Sequence, residues 1–415
     1  MTGPDRRHGQ RILVLGAGFA GLWSAIAASR ARQAFGIGPE HVEIMVLNRT
    51  AWHSIRVRNY ERDLAGTVIP LASVLDPIGV TWIEGEATDV DPAARTVTYS
   101  AACRSHRLSY DRLVFALGSQ LVRPPIPGLR ELAFDVDTYE SAVRLNRHVA
   151  SLPSRPPSPG RRTVLVVGGG LTGIETATEM VAKLGAVFAQ ESGPPTRVIL
   201  ADRQDWIGSD MGEGARNVIA QALRALGVET RTGMSLAAID ADGATLADGE
   251  RIEAATVVWC AGLQAHPLTA RFPNTRDPLG RLAVDACLQV EGGAAEFAAG
   301  DAAWFAIDGT HATVMSCQHA RPMGRFAGHN AICHLLGRPM LPLRIDWYAT
   351  VLDLGDWGAV YTYGWDRRVV AQGMAAKRTK QVINCERIYP PRSGNAREIL
   401  ESGAPTVQPP PAQFQ

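Results

Sequence analysis

The sequence predicts an α/β fold with two β-turn-α-β units and a small, mainly β third domain. Each unit has a strand-length apolar run, a glycine turn, a helical stretch rich in small residues and a second apolar run. The first unit spans residues 11–47 and the second spans residues 163–201. Residues 346–374 are rich in Tyr, Trp and Val between Gly and Asp turns, which is typical of strands. The repeated unit predicts two Rossmann-like dinucleotide-binding domains.

Both glycine turns have the pattern G-x-G-x-x-G, which suits a pyrophosphate. The first glycine permits a tight turn, the second lets phosphates approach the backbone, and the third lets the helix pack on the strand. The phosphates then lie at the positive end of the helix dipole. One match is weak evidence, but two matches, each between a strand pattern and a helix pattern, indicate dinucleotide binding. The predicted binding residues are Gly16, Gly18, Phe19, Ala20 and Gly21 in the first turn, and Gly168, Gly170, Leu171, Thr172 and Gly173 in the second.

The residue after the second strand of such a unit binds the ribose diol. In the second unit this residue is Asp202. In the first unit it is Asn48, followed by Arg49, and an amide lacks the charge-assisted bond of a carboxylate. Arg203 follows Asp202, and a guanidinium is a good partner for a 2′-phosphate. We therefore expect Asp202, Asn48 and Arg49 in the nucleotide sites. For the second unit, the residues are compatible with the 2′-OH of NADH, through Asp202, and with the 2′-phosphate of NADPH, through Arg203.

Two further strand patterns end in glycine. Residues 110–119 run into Gly118, and residues 296–302 run into Gly300 and Asp301. A strand-end carboxylate beside a helix N-terminus can accept from a polyol hydroxyl while backbone N–H groups face a phosphate. The alternative for Asp301 is an ordinary helix N-cap, and the sequence leaves both interpretations open.

Together, these motifs resemble the flavoproteins with two dinucleotide-binding domains. The set GAGFAG, YDRLVFALGS, IPGL, VVGGGLTGIETATEM, VVWCAGLQAHPL and FAAGDA occurs in order over about residues 11–338. It is most similar to the type II NADH dehydrogenases, which are single-chain NADH:quinone oxidoreductases. The resemblance implies that the first glycine turn binds FAD and that the second binds NADH, with NADPH as an alternative.

The resemblance also implies roles for single residues. It places Asp301 at the ribityl-phosphate region of the flavin and Gly262, in VVWCAGLQAHPL, beside the cofactors. It places Glu175 near the nicotinamide and flavin rings. Read from the residues alone, Glu175 is a solvent-facing residue of a first helical turn. Glu175 and Gln318, which matches the family's quinone-site motif, are the predicted catalytic residues; no metal ligands are predicted.

The resemblance makes the FAD-binding domain discontinuous, with the NAD(P)H-binding domain inserted. Residues 151–162, rich in Pro and Ser, form the predicted crossover. The predicted domains are an FAD-binding domain at 1–150 and 281–338, an NAD(P)H-binding domain at 163–280, a C-terminal α+β domain at 339–404 and a disordered Pro/Gln-rich tail at 405–415.

Three departures from the family concern the electron acceptor. In the motif A-Q-x-A-x-Q-Q, the paired glutamines are replaced by Pro322 and Met323. Arg56 and Arg58 alternate with apolar residues, so a strand would place both on one face, either solvated or holding an anionic group. The C-terminal region lacks an amphipathic membrane helix, and its short basic patch at residues 377–380 is expected to be solvated surface.

Composition excludes several classes of protein. The formal net charge of +1 provides no field to attract nucleic acid. The six cysteines are scattered without metal-binding or redox-pair spacing. No apolar run approaches the length of a membrane span, and the first ten residues lack an apolar signal core, so we expect a cytoplasmic enzyme. A small-molecule electron acceptor, peripheral membrane contact at most and a homodimer are the expectations for partners.

Three functions remain in competition. The first is an FAD-dependent oxidoreductase that takes hydride from NAD(P)H and reduces a quinone or quinone-like acceptor. The second is a flavoenzyme acting on a small organic metabolite, with Arg56 and Arg58 holding its anionic group. The third is a redox sensor that binds FAD and NAD(H) and turns over slowly.

We predict that NADH is preferred to NADPH. A carboxylate at Asp202 accepts from the ribose 2′-OH and repels a 2′-phosphate, which favours NADH by roughly ten- to a hundredfold in kcat/KM. The measurement is flavin reduction by each nucleotide, in the wild type and in Asp202→Ala. Equal or better use of NADPH by the wild type would show that Arg203 reads the ribose instead.

Overall fold

The computed structural model describes residues 9–273 and 275–412. Its helices and its parallel sheets alternate along the chain, and the predicted α/β class is confirmed. The α-helices are Phe19–Ala34, Leu71–Leu75, Leu129–Leu132, Tyr139–Ser151, Leu171–Val187, Gly212–Ala225, Cys317–Leu335, Gly373–Val382 and Ala396–Ser402.

The first parallel sheet contains the first glycine unit. The residues of its inner strands are mostly apolar and buried, because helices and a second layer of strands cover both faces, whereas the edge strand Thr81–Glu84 is partly exposed. Since its edge strand Glu296–Ala298 comes from beyond the second unit, this half of the fold is discontinuous in sequence. The strands lie in the order Glu296–Ala298, Arg112–Phe115, Gln10–Leu15, Val42–Asn48 and Thr81–Glu84, and an antiparallel sheet of Glu86–Asp91, Thr96–Ala101 and Arg104–Ser109 packs on the same core.

The second parallel sheet repeats this arrangement around the second glycine unit. It has its own apolar core, formed with helices Leu171–Val187 and Gly212–Ala225. Both units therefore present a glycine turn at the carboxyl end of a central strand, where open α/β sheets bind ligands. The strands lie in the order Glu229–Arg231, Arg197–Ala201, Thr163–Val167 and Thr256–Trp259, beside an antiparallel sheet of Leu236–Asp240, Gly243–Leu246 and Arg251–Glu253.

The third region is an antiparallel sheet with one helix. Leu352, Leu354 and Val360 of this region belong to the apolar core of the second unit, so the region is fixed against that half. The strands of this sheet are Ala349–Asp353, Ala359–Tyr363 and Arg368–Gln372.

Three short strand pairs lie elsewhere in the chain. They are Trp52–Ser54 with Val68–Pro70, Ser119–Leu121 with Leu263–Ala265, and Leu282–Ala283 with Ala303–Trp304.

The C-terminal segment 404–412 differs from the disordered tail predicted at 405–415. Its composition excludes a helix or strand, but buried donors of the body bind its backbone and side chains. Arg321 donates to Gln408 Oε1 at 2.9 Å, and the Trp347 indole donates to the Gln408 carbonyl at 3.0 Å. Tyr361 donates to the Pro411 carbonyl at 3.1 Å. Tertiary hydrogen bonds thus order a sequence that has no intrinsic preference for one conformation; residues 413–415 lie outside the described part.

Helices Phe19–Ala34 and Cys317–Leu335 cross at unusually short range. A Cβ at Gly324 would overlap the Ala20 carbonyl oxygen, and a Cβ at Gly328 would overlap the Ser24 carbonyl oxygen. Ser24 Oγ donates to the Gly324 carbonyl at 3.0 Å across the crossing. Two glycines one turn apart are therefore required for the two backbones to come this close.

We predict that Gly328→Ala lowers the free energy of unfolding by about 1–3 kcal/mol, because the added Cβ forces two buried helices apart. The matched control is Gly185→Ala in helix Leu171–Val187, where no described atom lies within 4 Å of the new Cβ. That variant should be as stable as the wild type or gain about 0.5–1 kcal/mol from helix propensity. Urea denaturation measures both; equal midpoints for Gly328→Ala and the wild type would contradict the steric argument.

Candidate active site

The first glycine turn has the geometry that a pyrophosphate requires. Gly16 has φ of +91°, a conformation that side chains disfavour. A Cβ at Gly21 would overlap the Gly16 carbonyl oxygen, so the helix packs closely only with glycine there. No described atom lies within 4 Å of a Cβ built at Gly18, which leaves open space in front of the turn. Helix Phe19–Ala34 begins at this space, so its positive end faces it.

The second glycine turn repeats each of these features. Gly168 has φ of +113°, and a Cβ at Gly173 would overlap the Gly168 carbonyl oxygen. The space in front of Gly170 is bounded only by Asp210 Oδ2, 3.8 Å from the position of a Cβ. Helix Leu171–Val187 begins there. Both turns therefore have room for two phosphates at a helix N-terminus, and the residues present fit a dinucleotide in each half.

The strand-end residues Asn48 and Asp202 occupy equivalent positions. Asn48 Oδ1 accepts from the Ala17 N–H at 2.9 Å, and its Nδ2 donates to the Thr50 carbonyl at 2.8 Å. Asp202 Oδ2 accepts from the Gly169 N–H, and its Oδ1 accepts from the Gln204 N–H at 2.7 Å. Each side chain therefore accepts a hydrogen bond from a backbone N–H of its own glycine turn. A carboxylate keeps lone pairs for a ribose after two such bonds, whereas the bonded amide of Asn48 has less left to offer.

Asp301 lies between the first glycine turn and the short strand Ser119–Leu121. Ser119 Oγ donates to Asp301 Oδ2 at 2.7 Å, and an Arg56 guanidinium nitrogen is 3.6 Å from the same oxygen. Gly300 has φ of +74°, and a Cβ there would lie 2.8 Å from Ala20 Cβ. The N-cap of helix Cys317–Leu335 is Ser316, so the N-cap interpretation of Asp301 is wrong.

Arg56 and Arg58 differ from the sequence expectation in both conformation and surroundings. Residues Arg56–Arg58 form a 3₁₀ turn, because the strand ends at Ser54. Arg56 pairs with Asp137, and Arg58 pairs with Glu61 at 2.6 Å. The glutamate and burial act on Arg58 in opposite directions, and the net effect raises its pKa. Both cations are neutralised within the protein, so the role of holding an anionic metabolite is not supported for this pair.

Glu175 is buried, not solvent-facing, and its partner is a lysine 205 residues away. Only 7% of Glu175 is exposed. Its Oε1 accepts from Lys380 Nζ at 2.7 Å and from the Asp353 N–H at 3.0 Å. Burial raises the pKa of Glu175, although Lys380 opposes the shift. Burial alone would lower the pKa of Lys380, but the charge and hydrogen bond of Glu175 outweigh it and the pKa is raised.

Lys380 is the main functional residue that the sequence analysis missed. It was assigned to a solvated basic patch, yet it is buried, and its Nζ also donates to the Val351 carbonyl at 3.0 Å. Lys377 lies one turn earlier and donates to Asp353 Oδ1 at 2.6 Å. The spacing of three residues between the two lysines was the available signal, since it places both on one helix face.

Gln318 and two cysteines line the wall near this pair. Gln318 Nε2 donates to the Trp347 carbonyl at 3.3 Å. Burial raises the pKa of the Cys260 thiol to about 12 and also raises that of Cys317. Both thiols are therefore protonated at neutral pH, and no disulfide occurs among residues 9–273 and 275–412. The arrangement provides no thiolate for disulfide exchange.

Both glycine turns, Asp301, Gln318 and the Glu175–Lys380 pair line one cavity of about 1650 Å³. Gly21 and Gly173 are the exceptions among the predicted residues, because they lie behind the turns where helix meets strand. The cavity continues from the two glycine turns to the Glu175–Lys380 pair. The predicted residues that line it are Gly16, Gly18, Phe19, Ala20, Asn48, Arg49, Gly118, Gly168, Gly170, Leu171, Thr172, Glu175, Asp202, Gly262, Gly300, Asp301 and Gln318.

One cavity shared by two pyrophosphate-type turns defines a class: the flavoprotein oxidoreductases with two dinucleotide-binding domains. Within the described residues, no helix combines the length and apolar character needed to cross a bilayer.

Comparison with known proteins gives the family. A model of the pyridine nucleotide-disulphide oxidoreductases matches residues 10–324. An NADH dehydrogenase-like protein of Mycobacterium tuberculosis is 53% identical over 401 residues, covering 97% of this chain and 100% of the relative. A demethylphylloquinone reductase of Synechocystis is 29% identical over 356 residues, covering 84% and 86%. The solved structure of NDH2 from Plasmodium falciparum in complex with NADH shares the fold, with a TM-score of 0.75 at 13% identity and coverage of 95% and 97%.

The chain therefore belongs to the pyridine nucleotide-disulphide oxidoreductase family and is NADH dehydrogenase-like. It is an NAD(P)H oxidoreductase with FAD and NAD(H) as its cofactors. This confirms the family resemblance and the cofactors predicted from the sequence.

We predict that Lys380→Met lowers the free energy of unfolding by about 3–5 kcal/mol near pH 8, because it leaves a buried carboxylate without its cation. Losing Lys380 raises the pKa of Glu175 further. When the pKa of a carboxyl is higher in the folded state than in the unfolded state, the protein loses stability as the pH rises from the unfolded-state pKa through the folded-state pKa. The destabilisation by Lys380→Met should therefore be smaller near pH 5 than near pH 8.

Urea denaturation at both pH values measures this effect. The control is the double variant Glu175→Gln/Lys380→Met, which removes both charges and should abolish the extra pH dependence. Equal destabilisation by Lys380→Met at both pH values would show that Glu175 does not depend on this partner.

Proposed function

We propose that this enzyme transfers electrons from NADH to a quinone or quinone-like acceptor. The observation that carries the proposal is the single cavity, which joins two dinucleotide turns to a buried proton-bearing pair. The demethylphylloquinone reductase relative, which acts on a quinone, supports the same acceptor class. The cytoplasmic location and the homodimer expected from the sequence stay predictions.

The first half of the cavity fits FAD. The first N–H groups of helix Phe19–Ala34 have no partner within the helix and would hold the pyrophosphate. Asp301, fixed by Ser119, would accept from the ribityl chain. Gly118 and Gly300 both have positive φ, a conformation that glycine adopts without strain, and both line this part of the cavity. When bound, the flavin supplies the hydride-accepting and electron-donating chemistry.

The second half fits NADH. Gly170 and Leu171 would hold its pyrophosphate at the start of helix Leu171–Val187, and Thr172 adds a hydroxyl at the same end. Asp202 would accept from the adenosine ribose. Because this turn and Glu175 belong to one helix, the adenosine end and the redox end of the nucleotide are fixed by one rigid element.

The wall formed by Glu175 and Lys380 is suited to the acceptor. Reduction of a quinone to a hydroquinone requires two protons. Lys380 Nζ uses two of its three N–H groups on Glu175 and Val351, which leaves one to donate to an acceptor oxygen. Glu175 holds that ammonium in place and, with its raised pKa, can itself carry a proton. Gln318 lines the same cavity and offers its amide oxygen.

We predict that NADH reduces the bound flavin rapidly in the absence of oxygen and that menadione reoxidises it faster than oxygen does. Lys380→Met should keep the first half-reaction and slow the second by about ten- to a hundredfold, because it removes the donor to the acceptor. Stopped-flow absorbance of the flavin measures both half-reactions. Rapid reduction by NADH together with no reoxidation by any quinone would contradict the proposed acceptor.

A further inference from the structure

Three arginines converge at one end of the cavity. Arg321 and Arg325 lie one turn apart on helix Cys317–Leu335, and only 7% and 4% of them are exposed. Arg387 approaches from the π-helical turn Ile383–Arg387. The guanidinium of Arg321 lies 4.7 Å from the centre of the Trp23 ring.

These cations have no carboxylate partner. In the part of the chain that the structure describes, no ion pair involves Arg321, Arg325 or Arg387, in contrast to Arg56 and Arg58. Glu386, beside them, is exposed. Buried arginines are normally paired, because removing a charge from water is costly. An uncompensated buried group of cations is therefore a feature that stability does not explain.

The contacts that the arginines do make are few and uncharged. Arg321 donates to Gln408 Oε1 at 2.9 Å, Arg325 to the Thr406 carbonyl at 3.3 Å, and Arg387 to the Pro409 carbonyl. Among the described residues, the buried Nε atoms of Arg321 and Arg325 have no hydrogen-bond partner. Each guanidinium has five N–H donors, so most of this donor capacity is unused.

The arginines remain charged despite their burial. Burial, with help from Arg325, lowers the pKa of Arg321 to about 9, and burial lowers that of Arg325 to about 10. Both values lie above neutral pH. The two side chains are therefore mainly cationic at neutral pH.

The cluster lies at the boundary between the main cavity and a second, smaller one. Arg321, Arg325 and Arg387 line both the main cavity and a smaller one of about 580 Å³ on the side of Trp23 and Tyr389. Cys317 lines the main cavity, as the Glu175–Lys380 pair does. Burial raises the pKa of Cys317, while Arg321 and Lys380 both act to lower it, which shows that both cations are near it.

We propose that the electron acceptor carries an anionic group, a carboxylate, which Arg321, Arg325 and Arg387 bind at this end of the cavity while its ring lies toward Lys380. The inference rests on the proposed function and specifies its substrate class. Guanidinium groups bind carboxylates in bidentate geometry, and the free donors supply that geometry here. The neutral contacts to segment 404–412 are weaker than such charge-assisted bonds, so an incoming carboxylate displaces them.

The test compares two naphthoquinones that differ in charge and by one methyl group: 2-methyl-1,4-naphthoquinone with a 3-propanoate chain, and its methyl ester. We expect the holoenzyme to reduce the propanoate with a kcat/KM at least about tenfold above that of the ester. In Arg325→Met this ratio should fall to about one. The matched control is Arg338→Met, an arginine stacked on Phe35 away from the cavity, which should keep the wild-type ratio.

Stability provides a second readout. Because Arg325 has no carboxylate partner, Arg325→Met should unfold at the same temperature as the wild type or higher, whereas a structural arginine would lower it. Arg387→Met, at a less buried position, repeats the kinetic test if Arg325→Met fails to fold.

The outcomes separate the two proposals. Equal kcat/KM for the propanoate and the ester would overturn the anionic acceptor and leave quinone reduction intact. If neither compound reoxidises the flavin, quinone reduction fails, and thermal unfolding of the oxidised holoenzyme decides the anion site. A larger increase in Tm with the propanoate than with the ester, lost in Arg325→Met, would support the site; equal increases would overturn it.

Discussion

The close crossing of helices Phe19–Ala34 and Cys317–Leu335 is the constraint on which the rest of the site depends. The first helix carries the FAD-side glycine turn at its start, and the second starts near Gln318 and ends far from the cavity. Because Gly324 and Gly328 let the two backbones meet, Gly300 comes against Ala20 at the turn. The same crossing directs the successive turns of the second helix along the cavity wall. One steric condition therefore sets both the phosphate site and the position of the arginines on the second helix.

The charges of the site divide into groups that have a charged partner and groups that have none. Arg56 and Arg58 are satisfied by Asp137 and Glu61, so they fix loops near the flavin end. Glu175 and Lys380 satisfy each other but keep a donor toward the cavity. The arginines of helix Cys317–Leu335 are satisfied by neither carboxylates nor water-exposed positions. The buried cations without a carboxylate partner thus lie at the place where we infer that the acceptor binds.

The sequence predicted what local rules determine. Two glycine turns between a strand and a helix follow from the steric needs of residues such as Gly16 and Gly21, which are near in sequence, and the α/β class follows from them. The partner of Glu175 could not be predicted, because the contact with Lys380 joins residues 205 positions apart and depends on how the third region packs on the second sheet. The ordered path of segment 404–412 likewise depends on distant donors such as Arg321 and Trp347. Neither the Glu175–Lys380 contact nor the path of segment 404–412 can be predicted from the local composition of the sequence.

The buried thiols of Cys260 and Cys317 have a consequence for the chemical durability of the enzyme. Quinones are electrophiles that add to thiolates far faster than to thiols, so a cavity that admits them endangers any ionised cysteine in its wall. With a pKa of about 12, only about one Cys260 side chain in 10⁵ is ionised at pH 7. Burial that keeps both sulfurs protonated would therefore protect the protein from alkylation by the quinones that we propose as its acceptors.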